Sequence, residues 1–324
     1  MREIPYWQAL NEALQEEMDR DENVILIGED IGVYGGAYGV TRDLYAKYGP
    51  ERVRDAPISE AAIVGGGLGA ALTGLRPVVE IMYVDFIGLA MDQIANQAAK
   101  IKYMTGGKAR VPLVIRTEGG TGRTLGAHHS QSLEAWILHV PGLKLVMPST
   151  PYDAKGLLKS AIRDDNPVVF IEHKMLYRVK GPVPEGEYLI PIGVADVKRQ
   201  GGDVTMVTYS KMVHVALEAA QKLEEEGIDV EVIDLRSLCP MDMETVIKSV
   251  KKTHRVIVLH EAVKTGGVGA EISARIMEAA FDYLDYPVVR LAGADVPIPK
   301  SPVLEEIAIP RVRDVVSAVH EMVA

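Results

Sequence analysis

One carboxylate stands out by its setting: Glu60, in the run Asp55-Ala-Pro-Ile-Ser-Glu-Ala-Ala-Ile-Val-Gly-Gly-Gly-Leu-Gly69. Pro57 and Ser59 are helix-entry residues, so Glu60 falls in a first helical turn, where the helix dipole favours an acid. Behind it, Gly65, Gly66, Gly67 and Gly69 each cost about 1 kcal/mol relative to alanine in a helix interior. Such a run is compensated where another backbone or a flat ligand must come close. The plain reading is a first-turn glutamate on a tightly packed helix. The functional reading is a carboxyl held against a ligand.

Other residues could carry chemistry. Glu29, with Asp30, ends the apolar run Val24-Ile-Leu-Ile-Gly28, and ligands of open α/β sheets sit at strand C-termini; a solvated loop acid is the alternative. Phe86, one of three phenylalanines, follows a strand-like run. It is either a stacking surface or core. The loop Arg116-Thr-Glu-Gly-Gly-Thr-Gly-Arg-Thr-Leu-Gly-Ala-His-His-Ser-Gln-Ser132 is glycine-rich and delivers His128, His129 and Ser130. That composition predicts a mobile lid facing substrate. Arg163-Asp-Asp-Asn-Pro167 reads as a turn, with too few carboxylates for a calcium cage.

Strands are expected at 24–28, 78–83, 112–116, 144–147 and 168–172, with helices at 6–20, 61–72, 89–103 and 152–163. Short apolar strands separated by helices indicate a parallel sheet buried on both faces. Gly, Pro and charged residues then break the pattern between 176 and 202. A second α/β set follows, with strands at 204–209, 230–235, 256–259 and 288–291 and helices at 213–226, 243–252 and 271–281. The fold class is therefore α/β in two domains, 1–180 and 203–324, joined by a linker at 181–202.

Absences narrow the function. No Gly-x-Gly-x-x-Gly opens a helix after the first strand, and Gly-x-x-x-x-Gly-Lys-Ser/Thr, His-Glu-x-x-His and Gly-x-Ser-x-Gly are missing. A formal charge of −10 over 324 residues argues against nucleic acid and anionic membranes as partners. The single cysteine, Cys239, rules out an intrachain disulfide and a cysteine-rich zinc site. No signal-peptide core or membrane-length apolar run is visible, so a cytoplasmic protein is expected.

Ile58-Ser-Glu60, Val84-Asp-Phe86, Tyr103-Met-Thr-Gly-Gly107, His129-Ser-Gln131, Pro148-Ser-Thr-Pro-Tyr-Asp-Ala-Lys-Gly156 and Asp164-Asp-Asn-Pro167 occur in one order. In that order they resemble the beta subunits of thiamin-diphosphate-dependent 2-oxo acid dehydrogenase first components, the pyruvate, branched-chain and acetoin enzymes. The resemblance runs from Trp7 to the last helix. It implies a pyrimidine-binding domain, a transketolase-type C-terminal domain, a β2 dimer and an α2β2 assembly. The chain has no Gly-Asp-Gly with a downstream Asn-Asn, so the resemblance implies that the alpha subunit holds Mg²⁺ and the diphosphate.

By the same resemblance Glu60 binds the pyrimidine nitrogen of thiamin diphosphate and drives its acid–base chemistry. Phe86 lies against the aminopyrimidine, and Glu29 stands near the cofactor in proton relay. His129 faces substrate and the lipoyl group of the acyltransferase component, while His128 has no such match. Leu89 replaces a second acid found in some pyruvate-specific members. Asp164 and Asn166, with backbone carbonyls near Leu113, Ala161 and Ile162, match a potassium site. Pyruvate and acetoin are weighted equally as substrates, above branched-chain oxo acids. Two rivals stand beside this reading. One is half of a split transketolase, against which His129-Ser-Gln131 and the potassium-type turn count; the other is a non-catalytic scaffold, against which Glu60, Phe86 and His129 count.

Overall fold

The computed structural model describes residues 1–324, and the chain forms two compact units: 1–119 with 136–192, and 120–135 with 193–324. The first unit opens with β1 (Arg2–Pro5) and α1 (Tyr6–Arg20), then β2 (Val24–Gly28), α2 (Leu44–Tyr48), β3 (Val53–Asp55), α3 (Glu60–Leu72) and β4 (Arg76–Ile81). A 3₁₀ helix (Val84–Ala90), a π-helix (Asp92–Ala98) and α4 (Ala99–Met104) lead to β5 (Val114–Gly119). After α5 (Glu134–Leu138) come β6 (Lys144–Val146), α6 (Pro151–Arg163), β7 (Val168–His173) and β8 (Lys180–Val183).

The parallel strands run in the order β6-β7-β5-β4-β2-β3. Both faces are covered: β2 reads as a near-continuous apolar run, and nearly every residue of β4, β5 and β7 is buried, the charged ones included. Tyr6, Leu10 and Leu14 of α1 pack with Leu157 and Leu158 of α6 and Phe170 of β7 in one core. Two expectations change. The helix expected over 89–103 is three segments, and its π-helical middle keeps both Ile94 and Ala98 buried. The expected linker is structured at its start: β8 pairs antiparallel with β1, and Ile190 joins the core.

The second unit holds β9 (Asp196–Arg199), β10 (Val204–Thr208), α7 (Met212–Glu225), β11 (Val230–Asp234), β12 (Ser237–Cys239), α8 (Met243–Thr253) and β13 (Val256–Val263). It ends with α9 (Val268–Ala280), a 3₁₀ turn (Phe281–Tyr283), β14 (Val289–Gly293), α10 (Pro302–Ile307) and α11 (Val312–Val323). Its sheet order is β14-β13-β10-β11-β9, parallel except at β9. Met206, Val232 and Leu259 pack against Ala216 and Ala220 of α7 and Val315 and Val319 of α11. No helix is long and apolar enough to cross a membrane.

The glycines of α3 divide by environment. A Cβ on Gly67 would lie 2.4 Å from Val79 Cγ1 and 3.2 Å from Leu113 Cδ1, so this glycine lets the helix sit close on the sheet. Gly66 and Gly69 face open space, and with Ala62 they form an exposed strip of small residues.

Candidate active site

Glu29, Glu60 and Phe86 follow the C-terminal ends of three neighbouring strands, β2, β3 and β4. The chain passes from β2 to β3 on one side and then crosses back to β4 on the other side of β2, so Glu29 stands at the point where the strand order reverses. Asp55 fixes this rim: its Oδ1 accepts from the Gly32 amide at 2.7 Å, and the Ala56 amide donates to Gly28 O at 2.8 Å. Asp30 adopts a left-handed conformation, φ 54°, which turns the chain directly after Glu29. Gly28 leaves room for Glu80, whose Cβ would stand 3.0 Å from a Cβ at that position.

Glu60 is the first residue of α3 and is 6% exposed, yet no hydrogen bond within the chain engages its carboxylate. Ser59 is the N-cap but does not cap through its side chain. Glu29 is half-buried, and its Oε1 is buried with no partner. Burial pushes the Glu29 carboxyl above the usual range, and the charges of Glu60, Asp30 and Glu80 add to that. Phe86 is half-exposed, with its ring edge-on to Tyr83 at 6.3 Å and 77°.

Behind this rim lies a buried charge cluster that no motif announces. Arg116 donates from Nε and Nη2 to Glu172 at 2.6 and 2.8 Å and from Nη1 to Glu80 at 2.6 Å. Tyr177 donates to Glu172 at 2.7 Å. Glu118, two residues along β5 from Arg116, is 3% exposed, and its Oε1 has no partner. Burial pushes its carboxyl well above the usual range, with Glu80 and Glu172 adding and Arg116 opposing. Arg116 engages two of the three buried acids, Glu80 and Glu172, and Glu118 is the acid without hydrogen bonds.

His129 belongs to the second unit, within the segment 120–135. The expected mobile lid is instead tied down. Glu261 accepts from the Thr121 amide at 2.6 Å, and Glu305 accepts from the Gly122 and Thr124 amides at 2.7 and 3.0 Å. Gly120, Gly122 and Gly126 all take positive φ, which explains the glycine content as conformation rather than mobility. His129 is half-buried and His128 exposed.

The turn at 164–166 gathers the expected potassium residues, and protein cations already serve them. Arg76 donates to Ile162 O and to Asp164 O, each at 2.8 Å. Lys144 pairs with the Asp164 carboxylate, and Lys102 donates to Asn166 Oδ1 at 2.7 Å. Leu113 O accepts from Val168 N and Ala161 O from Asp164 N. A potassium ion here would share these oxygens with Arg76, so the donor set fits it poorly. No group of three or more His, Cys, Asp or Glu is placed to hold a metal.

The sequence comparisons agree with this architecture. Residues 2–180 match the family described as transketolase, pyrimidine binding domain, and residues 193–315 match transketolase, C-terminal domain. The chain is 51% identical over 323 residues to a pyruvate dehydrogenase E1 component subunit beta of Porphyra purpurea, covering 100% of this chain and 98% of the relative. It is 48% identical over 330 residues to the beta subunit of an acetoin:2,6-dichlorophenolindophenol oxidoreductase of Cupriavidus necator, covering 99% and 97%. A solved split-gene transketolase, an inactive beta4 tetramer, superposes with a TM-score of 0.81 at 26% identity, covering 98% of each chain. The chain belongs to the transketolase-like family of beta subunits of 2-oxo acid and acetoin dehydrogenase first components.

Proposed function

We propose that this chain supplies one half of a thiamin-diphosphate site in a pyruvate or acetoin dehydrogenase first component, working with an alpha subunit in an α2β2 assembly. The observation that carries the reading is the placement of Glu29, Glu60 and Phe86 after three neighbouring strands, with Glu60 buried and unengaged. These residues fit the pyrimidine half of the cofactor: a carboxyl for a ring nitrogen, an aromatic face and a second acid with an orphaned oxygen. When bound, thiamin diphosphate supplies the carbon nucleophile that cleaves the bond beside the substrate carbonyl.

The chain's own residues manage protons and access. Glu60 holds a proton at the pyrimidine nitrogen, in a setting shielded from bulk water. Glu29, whose carboxyl burial and the charge of Glu60 push above the usual range, serves the proton relay near the cofactor. Phe86 offers a flat apolar surface. His129 meets the substrate and the lipoyl group of the acyltransferase. The exposed strip of Ala62, Gly66 and Gly69 suits a second beta chain, which would bring Glu60 to a subunit boundary. Mg²⁺ falls to the alpha subunit, a potassium ion at Asp164 and Asn166 enters no step, and the compartment proposed is the cytoplasm. Identities of 51% and 48% favour this reading over a split transketolase at 26% but leave pyruvate and acetoin level.

The test is reconstitution. The purified chain alone should neither decarboxylate pyruvate nor cleave acetoin, and activity on one of them should appear when the alpha subunit is added. Turnover by the chain alone, verified free of alpha subunit, would overturn the reading.

A further inference from the structure

The second unit has a reversal point of its own. Strand β10 passes to β11 on one side and lies beside β13 on the other, so a crevice is expected at the C-terminal ends of β10 and β13. A cavity of about 530 Å³ lies on the β14 side of that point, walled by the ends of β13 and β14 and by residues of the segment 120–135. This volume is in the range of small-molecule sites. Neither His129 nor any residue of the first unit lines it.

Its chemistry is specific. Thr121 and Ser130, each 1% exposed, line the cavity, and neither side-chain oxygen has a hydrogen-bond partner. Buried hydroxyls are rarely left so. Glu261, 7% exposed, adds a carboxylate that also holds the Thr121 amide. Asp295 stands at the rim, held by Thr265. No lysine, arginine or histidine lines the cavity; Lys211 approaches Glu261 Oε2 from outside it at 3.4 Å. His260, next to Glu261, is buried and pushed down to about 4, so it adds no positive charge. Gln131 and Ser132 add neutral polar groups, and the rest of the wall is mostly apolar, including Leu133, Val263, Val296 and Ile298.

We propose that this cavity is a second ligand site, lined by none of the residues assigned to the cofactor, and that it takes a small organic ammonium ion with an apolar body. The ammonium would donate to Glu261 and to the lone pairs of Thr121 and Ser130, while the apolar body covers Val263, Val296 and Ile298. Two carboxylates without a lining cation repel phosphates and carboxylates, so neither the diphosphate of the cofactor nor a 2-oxo acid belongs here.

Calorimetric titration of the full chain at pH 7 tests this, with hexylammonium chloride and sodium hexanoate as probes of equal length and opposite charge. Hexylammonium should bind saturably at one site per chain, and hexanoate should not. Glu261→Gln keeps shape and should weaken the amine about tenfold or more, as a hydrogen bond to a charged group does. Val296→Trp should abolish binding by filling the cavity. If Glu261→Gln fails to fold, Ser130→Ala is read instead and should weaken the amine severalfold. Absence of saturable amine binding, equal binding of hexanoate, or amine affinity unchanged in both Glu261→Gln and Val296→Trp would overturn the proposal.

Discussion

The carboxyl of Glu29 lies in the electrostatic field of Glu60: after burial, the charge of Glu60 is the largest influence raising it. A carboxyl raised by a neighbouring acid, at the reversal point of a parallel sheet, is an arrangement suited to acid–base work. Glu80 extends the field inward to Arg116 and Glu172. The strand register sets this up. Glu80 pairs with Arg116 across β4 and β5, and Glu118 pairs with Glu172 across β5 and β7, so all four share one face.

Glu118 makes stability depend on pH. Its folded carboxyl is raised above its unfolded value, so its contribution is fully present below the unfolded value and is lost as pH rises through the folded one. Glu118→Gln removes that loss. The variant should match the wild type near pH 4 and become progressively more stable than it toward alkaline pH, as read by urea denaturation across the range. Parallel curves would show that Glu118 is ionised or exposed.

The two kinds of glycine in α3 make opposite predictions. Gly67→Ala drives a methyl into Val79 and Leu113 and should destabilise the chain by about 1–3 kcal/mol. Gly66→Ala meets nothing within 4 Å and should stabilise the isolated helix by up to about 1 kcal/mol. Gly66→Leu should nevertheless weaken self-association and assembly with the alpha subunit, measured by light scattering. Unaltered assembly in Gly66→Leu would place the subunit contact elsewhere.

His129 and His128 should separate in function. In the assembled enzyme His129→Ala should lower acyl transfer to a lipoyl domain by about 10²-fold or more if it positions a proton or substrate, with cofactor affinity little changed. His128→Ala, exposed in this structure, should be within a few-fold of wild type. Equal behaviour of the two variants would reduce the segment to a structural role.

Much of this was legible in the sequence. Two α/β units follow from apolar strands alternating with helices, and Glu60 announces itself through Pro57, Ser59 and the glycines behind it. The Arg116 cluster was not, because its partners Glu80 and Glu172 are 36 and 56 residues away and meet only through strand register. The segment 120–135 looked mobile for a similar reason: its anchors, Glu261 and Glu305, lie 140 and 183 residues downstream of the amides they hold. Glycine marks backbone conformation, and only distant carboxylates decide whether a glycine-rich loop moves. The break at 89–103 was hidden because 3₁₀, π and α turns bury similar apolar residues at slightly different spacing.

Glu60 is proposed to work as an acid–base group on the bound cofactor rather than as a structural first-turn acid. The most direct measurement is hydrogen–deuterium exchange at the thiazolium carbon of thiamin diphosphate, followed by NMR, in the assembled enzyme carrying Glu60→Gln. The amide keeps the size of the side chain but cannot share a proton. Exchange should slow by about 10²–10⁴-fold with assembly intact; exchange at the wild-type rate would make Glu60 a structural residue only.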